Sequence, residues 1–380
     1  MSPAIPTFGS DPQHPSTSAT SLGQPPRALP PSAYLDQEIY EKEIEQLFHR
    51  SWVLVGHVTE VENPGDYFTC EIAGQSLFVV RTPQDGLKAF YNVCQHRAHE
   101  LLKDSGSVRA IVCPYHAWTY NLDGRLRKAP NQQRVPGFDA SRICLTGIRL
   151  ESLCGFLFVN LDETAPPLAE AYGDLEAQFR AYVPEGERLR RLRRVSLVEN
   201  CNWKVSVENY SECYHCQVAH PAFTRGVVAA KSYRIEPQDH CLRHLAEAAP
   251  TEKAWYEHKS LGEAEGYSSW YLWPLSSIQV YPGGVVNLYR WIPDGTGRTR
   301  ILRDWYFMDG EAREDQLAAA DQDRETTVAE DVRIVESVQR GLASKGYRPG
   351  PLMVDPSGGV NSEHSLVALQ IWWHEAMGRP

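Results

Sequence analysis

The chain has 380 residues and a formal net charge of −10, which allows two separately folded domains, disfavours nucleic acid and anionic membranes as partners, and tolerates a cationic ligand. Hydrophobic residues make up 42% and aromatic residues 10% of the chain, as in a globular enzyme rather than a disordered or fibrous protein. The sequence has no apolar stretch of membrane-spanning length and no signal peptide, so we expect a cytoplasmic protein.

The N-terminal part of the chain contains three segments of different character. Residues 1–33 are rich in Pro, Ser, Thr and Gly, which predicts a disordered tail. Asp36 is a candidate N-cap, and apolar residues at helical spacing predict a helix over residues 34–50. Over residues 51–160, short β-prone runs such as residues 76–81 alternate with Pro-Gly, Ala-Gly and Asp-Gly turns, which predicts a small antiparallel β domain.

Two short pairs of Cys and His lie within this β region. Cys94 and His96 form a C-x-H pair, and Cys113 and His116 form a C-x-x-H pair. Two Cys and two His could hold zinc or a Rieske [2Fe–2S] cluster, in which the cysteines bind one iron and the histidines the other. A zinc finger places both cysteines on one arm and both histidines on the other, whereas each pair here supplies one of each. The order therefore indicates a Rieske cluster.

Residues 161–380 predict a second domain of longer amphipathic helices and mixed strands. A β-hairpin is predicted between residues 285–292 and residues 300–308, and residues 311–342 predict one long helix or two helices. The basic run at residues 188–194 alternates arginine with leucine, and we interpret it as a solvated face.

A second candidate metal motif contains His215 and His220. Two histidines and one carboxylate that leave coordination positions open are typical of a mononuclear non-heme Fe(II) that activates O₂. The two histidines face the same side only if a helix breaks between them, because their spacing does not match one helical turn. Pro221 is consistent with such a break.

Together these motifs resemble the oxygenase (alpha) component of Rieske non-heme iron oxygenases. The likeness is carried by residues 91–101, 113–120 and 122–124 and by the later histidine pair. It implies an α+β fold, in which an antiparallel β Rieske domain at residues 51–160 precedes a helix-grip (START/SRPBCC-like) catalytic domain at residues 161–380.

The resemblance also implies cofactors and partners. These are a [2Fe–2S] cluster, a mononuclear Fe(II), O₂ as co-substrate and NAD(P)H as the electron source. The NAD(P)H would act through a separate flavin/iron–sulfur reductase, because this chain has no dinucleotide-binding fingerprint of its own. Electron transfer from one subunit to the next requires a head-to-tail ring, and we expect a homotrimer.

Residue roles follow from the same resemblance. In that family two histidines and a more C-terminal Asp hold the mononuclear iron, and they map onto His215, His220 and Asp331. Helical spacing places Asp331 on the inward face and turns its neighbour Glu330 away. Glu212 lies one turn before His215 and takes the position of the acid that links this histidine to a Rieske histidine of the neighbouring subunit. Most family members carry Asp at that position.

Residues 212–216, Glu-Cys-Tyr-His-Cys, resemble the subgroup that hydroxylates or N-dealkylates quaternary ammonium compounds such as carnitine, glycine betaine, choline and proline betaine. Aromatic faces bind a trimethylammonium group through cation–π attraction. Aromatic residues between positions 267 and 291 are therefore expected to form a cage, with Trp270 and Tyr289 as first candidates. Cys213 and Cys216 form a C-x-x-C that would also suit a zinc or redox pair, but helical spacing points them away from the iron and we interpret them as packing residues. The odd count of nine cysteines argues against a disulfide framework.

Three other functions are compatible with parts of the sequence. An aromatic-ring-hydroxylating dioxygenase alpha subunit would share every metal ligand. A Rieske electron carrier would need only the first motif and would leave the histidine pair and the C-terminal half unexplained. A zinc-binding structural protein would accept the residue types of the first motif but not their order.

Overall fold

The computed structural model describes residues 24–84, 86–254 and 256–378. A disordered tail is predicted for residues 1–33, and residues 1–23 of this tail lie outside the described residues. None of the described helices combines the length and the apolar content that crossing a lipid bilayer requires.

Residues 24–33, which belong to the same predicted tail, pack onto the rest of the chain. Leu29 is 4% exposed, and the Ala28 N–H donates to the Gly350 carbonyl at 3.0 Å. The prediction of disorder is wrong for these residues. Burial of Leu29 and backbone pairing with the C-terminal segment outweigh the proline-rich composition.

Two short helices, α1 (Ser32–Leu35) and α2 (Gln37–Gln46), precede the first sheet. The Asp36 side chain accepts a hydrogen bond from the Glu38 N–H at 2.9 Å, so Asp36 caps α2 as expected. The helix ends before the predicted residue 50, and a tighter 3₁₀ turn at Phe48–Arg50 follows.

The N-terminal part forms two antiparallel sheets. Their strands are β1 (Val53–His57), β2 (Asp66–Ile72), β3 (Gln75–Arg81), β4 (Leu87–Tyr91), β5 (Ser105–Ser107), β6 (Ile111–Val112), β7 (Thr119–Tyr120), β8 (Leu126–Lys128), β9 (Gly147–Leu153) and β10 (Phe156–Asn160). Seven strands pair in the order β1-β10-β9-β4-β3-β2-β5, and β6, β7 and β8 form a small separate sheet. The loop after β4 carries the first Cys/His pair, and the loop between β6 and β7 carries the second.

The C-terminal part contains a second seven-stranded antiparallel sheet in the order β11-β17-β16-β15-β14-β13-β12. Its strands are β11 (Leu189–Glu199), β12 (Arg234–Gln238), β13 (Cys241–Ala246), β14 (Tyr267–Leu272), β15 (Ser276–Tyr281), β16 (Val285–Pro293) and β17 (Thr299–Met308). The surrounding helices are α3 (Leu168–Ala171), α4 (Leu175–Tyr182), α5 (Trp203–Tyr210), α6 (Cys216–Ala219), α7 (Pro221–Gly226), α8 (Glu314–Asp323), α9 (Ala329–Leu342) and α10 (His364–Ala376). The predicted fold class, an antiparallel β domain followed by a domain of sheet and helices, is confirmed.

Both faces of the second sheet are covered, so its central strands are buried along almost their whole length. Side chains alternate between the two faces. Trp270 and Leu272 of β14 therefore pack with α4 and with Phe156 of the first sheet, whereas Tyr267 and Tyr271 lie on the opposite face with α5, α9 and α10. The functional cavity forms on this opposite face.

Three sequence predictions can be compared directly with these elements. The predicted hairpin is present as β16 and β17. The predicted helical region is two helices, α8 and α9, joined by a π-helical turn at Arg324–Val328. The basic run keeps a partly solvated face, with the Arg188 side chain 50% and the Arg190 side chain 45% exposed. It lies largely in the edge strand β11, whose arginines pair with acids on neighbouring elements, for example Arg194 with Asp304 at 2.5 Å. Charged edge strands resist pairing with other chains.

Candidate metal centres and the adjoining cavity

Two loops in the first domain have the same type of backbone turn. The Ala98 N–H donates to the Cys94 carbonyl and the Ala117 N–H donates to the Cys113 carbonyl, both at 3.0 Å. Ala98 and Ala117 have left-handed backbone, with φ of 54° and 57°. Each turn starts at its Cys and carries its His inside the loop, so the two loops form matching halves of one site.

The four predicted cluster ligands converge between these loops. Cys94 and Cys113 are each 2% exposed, whereas His96 is exposed and His116 is half-buried. The centroids of the two imidazole rings lie 4.7 Å apart. The Tyr120 hydroxyl lies 3.2 Å from Cys94 Sγ, where it can donate a hydrogen bond to a thiolate.

This donor set fits a Rieske [2Fe–2S] cluster. Among the described residues, Nδ1 of His116 is buried without a hydrogen-bond partner, so this ring nitrogen is available to an iron. The His96 ring stacks on Trp118, with centroids 4.6 Å apart and planes 8° apart. Buried sulfurs on one side and imidazoles near the surface on the other match a cluster whose two irons are bound by Cys₂ and by His₂.

The second candidate centre forms after α5, where the chain makes a turn and enters two short helices. His215 immediately precedes α6, and His220 lies between α6 and α7. Pro221 is the first residue of α7, so the helix breaks where the sequence predicts and both rings face the same side. Nε2 of His215 and Nε2 of His220 lie 3.0 Å apart.

Asp331 completes this group from the first turn of α9. Its Oδ1 lies 2.9 Å from His220 Nε2 and 3.8 Å from His215 Nε2. One donor atom from each of the three residues lies within 4.8 Å of the other two. Two imidazoles and one carboxylate are the donor set of a mononuclear Fe(II), and a shared cation would satisfy the lone pairs that face one another here. The residues therefore fit such an iron.

Two nearby carboxylates, Asp331 and Glu330, change the pKa of His220. Burial disfavours the charged imidazole, but Asp331 and Glu330 outweigh burial and raise the pKa of His220 to about 8. The site therefore attracts positive charge.

Each histidine also has a carboxylate on its outer ring nitrogen. Glu212 Oε1 lies 2.5 Å from His215 Nδ1, and Glu330 Oε2 lies 2.9 Å from His220 Nδ1. The prediction that Glu330 turns away is wrong. Asp331 and Glu330 are consecutive on α9, and the His220 ring lies between them, so the two acids contact opposite ring nitrogens.

Cys213 and Cys216 form a disulfide, which corrects their interpretation as packing residues in a chain without disulfides. The Cys216 N–H donates to the Cys213 carbonyl at 3.1 Å, and this tight turn brings the two Cα atoms to 4.9 Å, within disulfide range. Both side chains are buried. The disulfide thus encloses the short segment between Glu212 and α6 that carries His215.

A cavity of about 80 Å³ adjoins the three donor residues. Five tyrosines, several polar side chains and the candidate iron ligands line it. The tyrosines are Tyr210, Tyr233, Tyr267, Tyr281 and Tyr289, and the other polar residues include Glu199, Ser206, Asn209, Gln279, Arg303 and Asp323.

The two predicted cage residues have different positions. Tyr289 lines the cavity. Trp270 does not: it is fully buried on the opposite face of the sheet, where its indole N–H donates to Gln178 Oε1 at 2.8 Å and its ring packs on Phe179. The Trp270 prediction is wrong, because alternation along β14 places it on the face away from the cavity.

One wall of the cavity is a hydrogen-bonded chain that sequence reasoning missed. Gln279 donates to the Tyr210 hydroxyl at 2.7 Å, and Tyr281 donates to Gln279 at 3.0 Å. The Tyr281 oxygen also lies 3.4 Å from Asp323 Oδ1, and Asp323 accepts a hydrogen bond from Arg303 at 2.5 Å. An available signal was Arg303 in the middle of β17, between residues that are mostly apolar on either side, since a buried arginine requires a partner.

Family models match both parts of the chain. Residues 51–139 match the Rieske [2Fe-2S] domain, and residues 186–379 match the ring hydroxylating alpha subunit (catalytic domain). The second match alone covers more than half of the chain.

Curated relatives cover nearly the whole chain. The carnitine monooxygenase oxygenase subunit of Escherichia coli (strain K12) is 36% identical over 341 residues, which are 89% of this chain and 90% of the relative. The glycine betaine monooxygenase oxygenase subunit of Pseudomonas aeruginosa (strain PAO1) is 28% identical over 92% of this chain and 89% of its own.

Solved structures are similar over the same extent. A quaternary ammonium Rieske monooxygenase in complex with L-carnitine has a TM-score of 0.84 and 31% identity, and the match covers 93% of this chain and 96% of that one. Naphthalene 1,2-dioxygenase from Rhodococcus sp. has a TM-score of 0.75 at 18% identity and covers 92% and 94% of the two chains, a likeness of fold alone.

Proposed function

The chain belongs to the Rieske non-heme iron oxygenases of the ring-hydroxylating family, and on that premise we propose that it oxidises a quaternary ammonium compound of the carnitine, glycine betaine or choline type. It is the oxygenase subunit of a two-component system, carries a Rieske cluster and a mononuclear iron, and needs a separate reductase. The substrate class is supported by the names of the relatives that match over nearly the full length.

The observation that carries this proposal is the cavity beside the His215, His220 and Asp331 donors. Its walls combine tyrosine rings with fixed acidic groups. Aromatic rings and carboxylates attract a permanent cation, whereas a flat arene would gain nothing from the charged groups.

Ligand roles are part of the proposal. Four residues would hold the [2Fe–2S] cluster: Cys94, His96, Cys113 and His116. The mononuclear iron would be held by His215, His220 and Asp331. Their support is the convergence of matching donor types at both places.

When bound, the mononuclear iron would supply O₂ activation with electrons from the Rieske cluster. Glu212 holds the proton on His215 Nδ1, and Glu330 holds the proton on His220 Nδ1, so each imidazole presents Nε2 to the site. The Tyr210 to Asp323 wall orients the substrate, and the enclosing tyrosines exclude bulk water from the reacting C–H bond.

The overall reaction inserts one oxygen atom of O₂ into a C–H bond next to the quaternary nitrogen. The other oxygen atom leaves as water, and NAD(P)H supplies the two electrons through the reductase. The resulting carbinolamine breaks its C–N bond and releases an aldehyde and a tertiary amine.

A head-to-tail homotrimer completes the proposal. His96 is exposed, and Tyr115, whose ring packs against the other Rieske histidine His116, is 50% exposed. Near the second site, Tyr214 is 45% and Val218 is 89% exposed. These surfaces support a contact in which Glu212 links a Rieske histidine of one subunit to His215 of the next. The domain bounds 51–160 and 161–380 and a cytoplasmic location are proposed on the sequence argument given above.

Turnover with a compatible reductase tests the proposed function. The panel is L-carnitine, γ-butyrobetaine, glycine betaine, choline, proline betaine and, as the arene, naphthalene. We expect O₂-dependent release of formaldehyde or a larger aldehyde from at least one quaternary compound and no product from naphthalene. Hydroxylation of naphthalene without turnover of any quaternary compound would instead establish the ring-hydroxylating dioxygenase alternative.

A further inference from the structure

Glu199 is a buried acid in the cavity without a cationic partner. It ends the edge strand β11, is 1% exposed, and lines the cavity beside the candidate iron site. The Ser206 hydroxyl hydrogen-bonds its carboxyl group, and the Cys201 thiol lies 3.9 Å from its Oε2. Both neighbours are uncharged, and no lysine or arginine in the described part of the chain forms an ion pair with it.

The other buried carboxylates among the described residues are paired with cations. Glu43 lies 2.5 Å from Lys204 Nζ, and Asp323 lies 2.5 Å from an Arg303 nitrogen. A desolvated carboxylate without such a partner costs free energy of folding. Glu199 therefore carries a penalty that a bound cation would remove.

Burial itself disfavours a negative charge on this carboxyl group. Desolvation raises the pKa of Glu199 to about 7, against the opposing hydrogen bond from Ser206. A cation bound in the cavity would stabilise the charged form of Glu199.

The other cavity acids are already engaged. Glu212 contacts His215, Asp323 contacts Arg303, and Asp331 is a proposed iron ligand. Among the acids that line this cavity, Glu199 is left to face a substrate.

One aromatic ring of the cavity, that of Tyr289, already contacts a positively charged side chain. The Tyr289 ring stacks on Trp291 at a centroid distance of 4.5 Å, and the Arg303 guanidinium lies 4.9 Å from the same ring. A substrate cation at Tyr289 would share that ring with a resident cation, which weakens the cation–π contribution predicted from sequence.

We propose that Glu199 is the counter-charge for the quaternary ammonium group of the substrate and makes the cavity select a cation over a neutral group of the same shape. This proposal rests on the proposed substrate class. A quaternary nitrogen has no N–H, so the carboxylate would attract it through charge alone, and the selectivity would disappear when that charge is removed.

The test compares two ligands in two proteins. The ligands are γ-butyrobetaine and its carbon isostere, in which carbon replaces the quaternary nitrogen. Their Kd values are measured by calorimetry without O₂ on the iron-loaded enzyme. In the wild-type protein we expect the cation to bind at least tenfold tighter. In Glu199→Gln, which keeps the shape but removes the charge, this preference falls by about tenfold while the isostere binds as before.

Two further variants separate charge recognition from structure. Glu336→Gln removes an acid that acts on the same region but hydrogen-bonds Asn200 outside the cavity, so its preference for the cation should match the wild type. Glu199→Asp keeps the charge and should keep most of the preference.

Specific outcomes would overturn the idea. Equal weakening of both ligands in Glu199→Gln would show a structural role, and an unchanged preference would show that Glu199 does not sense the charge. If the wild-type protein turns over the quaternary compounds, these results affect Glu199 alone. If it neither binds nor turns over any of them, the proposed function and the Glu199 proposal fail together.

Discussion

At the residue scale, both histidines of the proposed iron site are held by a carboxylate on Nδ1. Glu212 serves His215, and Glu330 serves His220. Such partners fix the tautomer and orientation of a metal-binding imidazole and raise its basicity. Spacing along the chain identified Glu212 because it lies one turn before its histidine. The same spacing argument did not identify Glu330. Helical periodicity indicates the side of the helix on which a residue lies, but it does not indicate that the His220 ring packs between two consecutive acids.

Replacing Glu330 with Gln should weaken iron binding at the catalytic site by about ten- to a hundredfold. The amide keeps a hydrogen bond to His220 but loses the negative charge that favours an iron-bound imidazole. Competition for Fe(II) against a chelator measures the change, with cluster absorbance as the internal reference. Glu325→Gln, an exposed acid in the adjoining π-helical turn, is the matched control. Iron affinity equal to that of the wild type would contradict a role for Glu330.

The sequence identified the donor residues better than it identified the cavity. Cys94, His116 and the histidine pair are recognisable because metal chemistry restricts residue type and spacing. Because side chains alternate along β14, Trp270 and Tyr271 must lie on opposite faces of the sheet. This alternation does not indicate which face borders the cavity. The Cys213–Cys216 disulfide was not predicted, because an odd number of cysteines in a chain expected to be cytoplasmic outweighed the C-x-x-C spacing.

At the element scale, a buried charge cluster attaches the N-terminal helix α2 to α5 and α10. Glu43 of α2 is fully buried and accepts hydrogen bonds from Lys204 at 2.5 Å, Trp203 at 2.8 Å and Trp373 at 2.7 Å. Composition predicts a helix here but gives no sign of this cluster, because its members are far apart in sequence. In contrast, the hairpin β16–β17 and the break at Pro221 depend on local signals and were predicted.

Lys204→Met should lower the free energy of unfolding by about 3–5 kcal/mol, because it leaves Glu43 buried without its cation. Chemical unfolding of the holoenzyme, followed by circular dichroism, measures the loss. The double variant Glu43→Gln/Lys204→Met removes both charges and should recover most of the stability. A loss below about 1 kcal/mol in the single variant, the range of an exposed ion pair, would show that the cluster is not a stabilising attachment.

At the scale of the whole molecule, the family resemblance carried by two metal motifs implied an antiparallel β domain followed by a catalytic domain, and this order is confirmed. Packing between these parts was not predictable. Residues 24–33, expected to be disordered, pair with the C-terminal segment, and the basic run became an edge strand. Both depend on contacts between distant parts of the chain, which neither composition nor periodicity describes.

The central claim is that electrons collected at the Cys94–His116 loops of one subunit are used at the His215–His220–Asp331 site of another. Co-expression of two inactive variants tests it. Cys113→Ala removes a proposed cluster ligand, and Asp331→Ala removes a proposed ligand of the mononuclear iron. Each variant alone should be inactive. In a ring of three subunits that contains both chains, about a third of the interfaces place an intact cluster next to an intact iron site.

The measurement is aldehyde release from the quaternary substrate by the purified mixed assembly with the reductase. The account predicts activity of about a third of the wild-type value. A mixed assembly that contains both chains, retains both kinds of iron centre and is as inactive as either variant alone would contradict it.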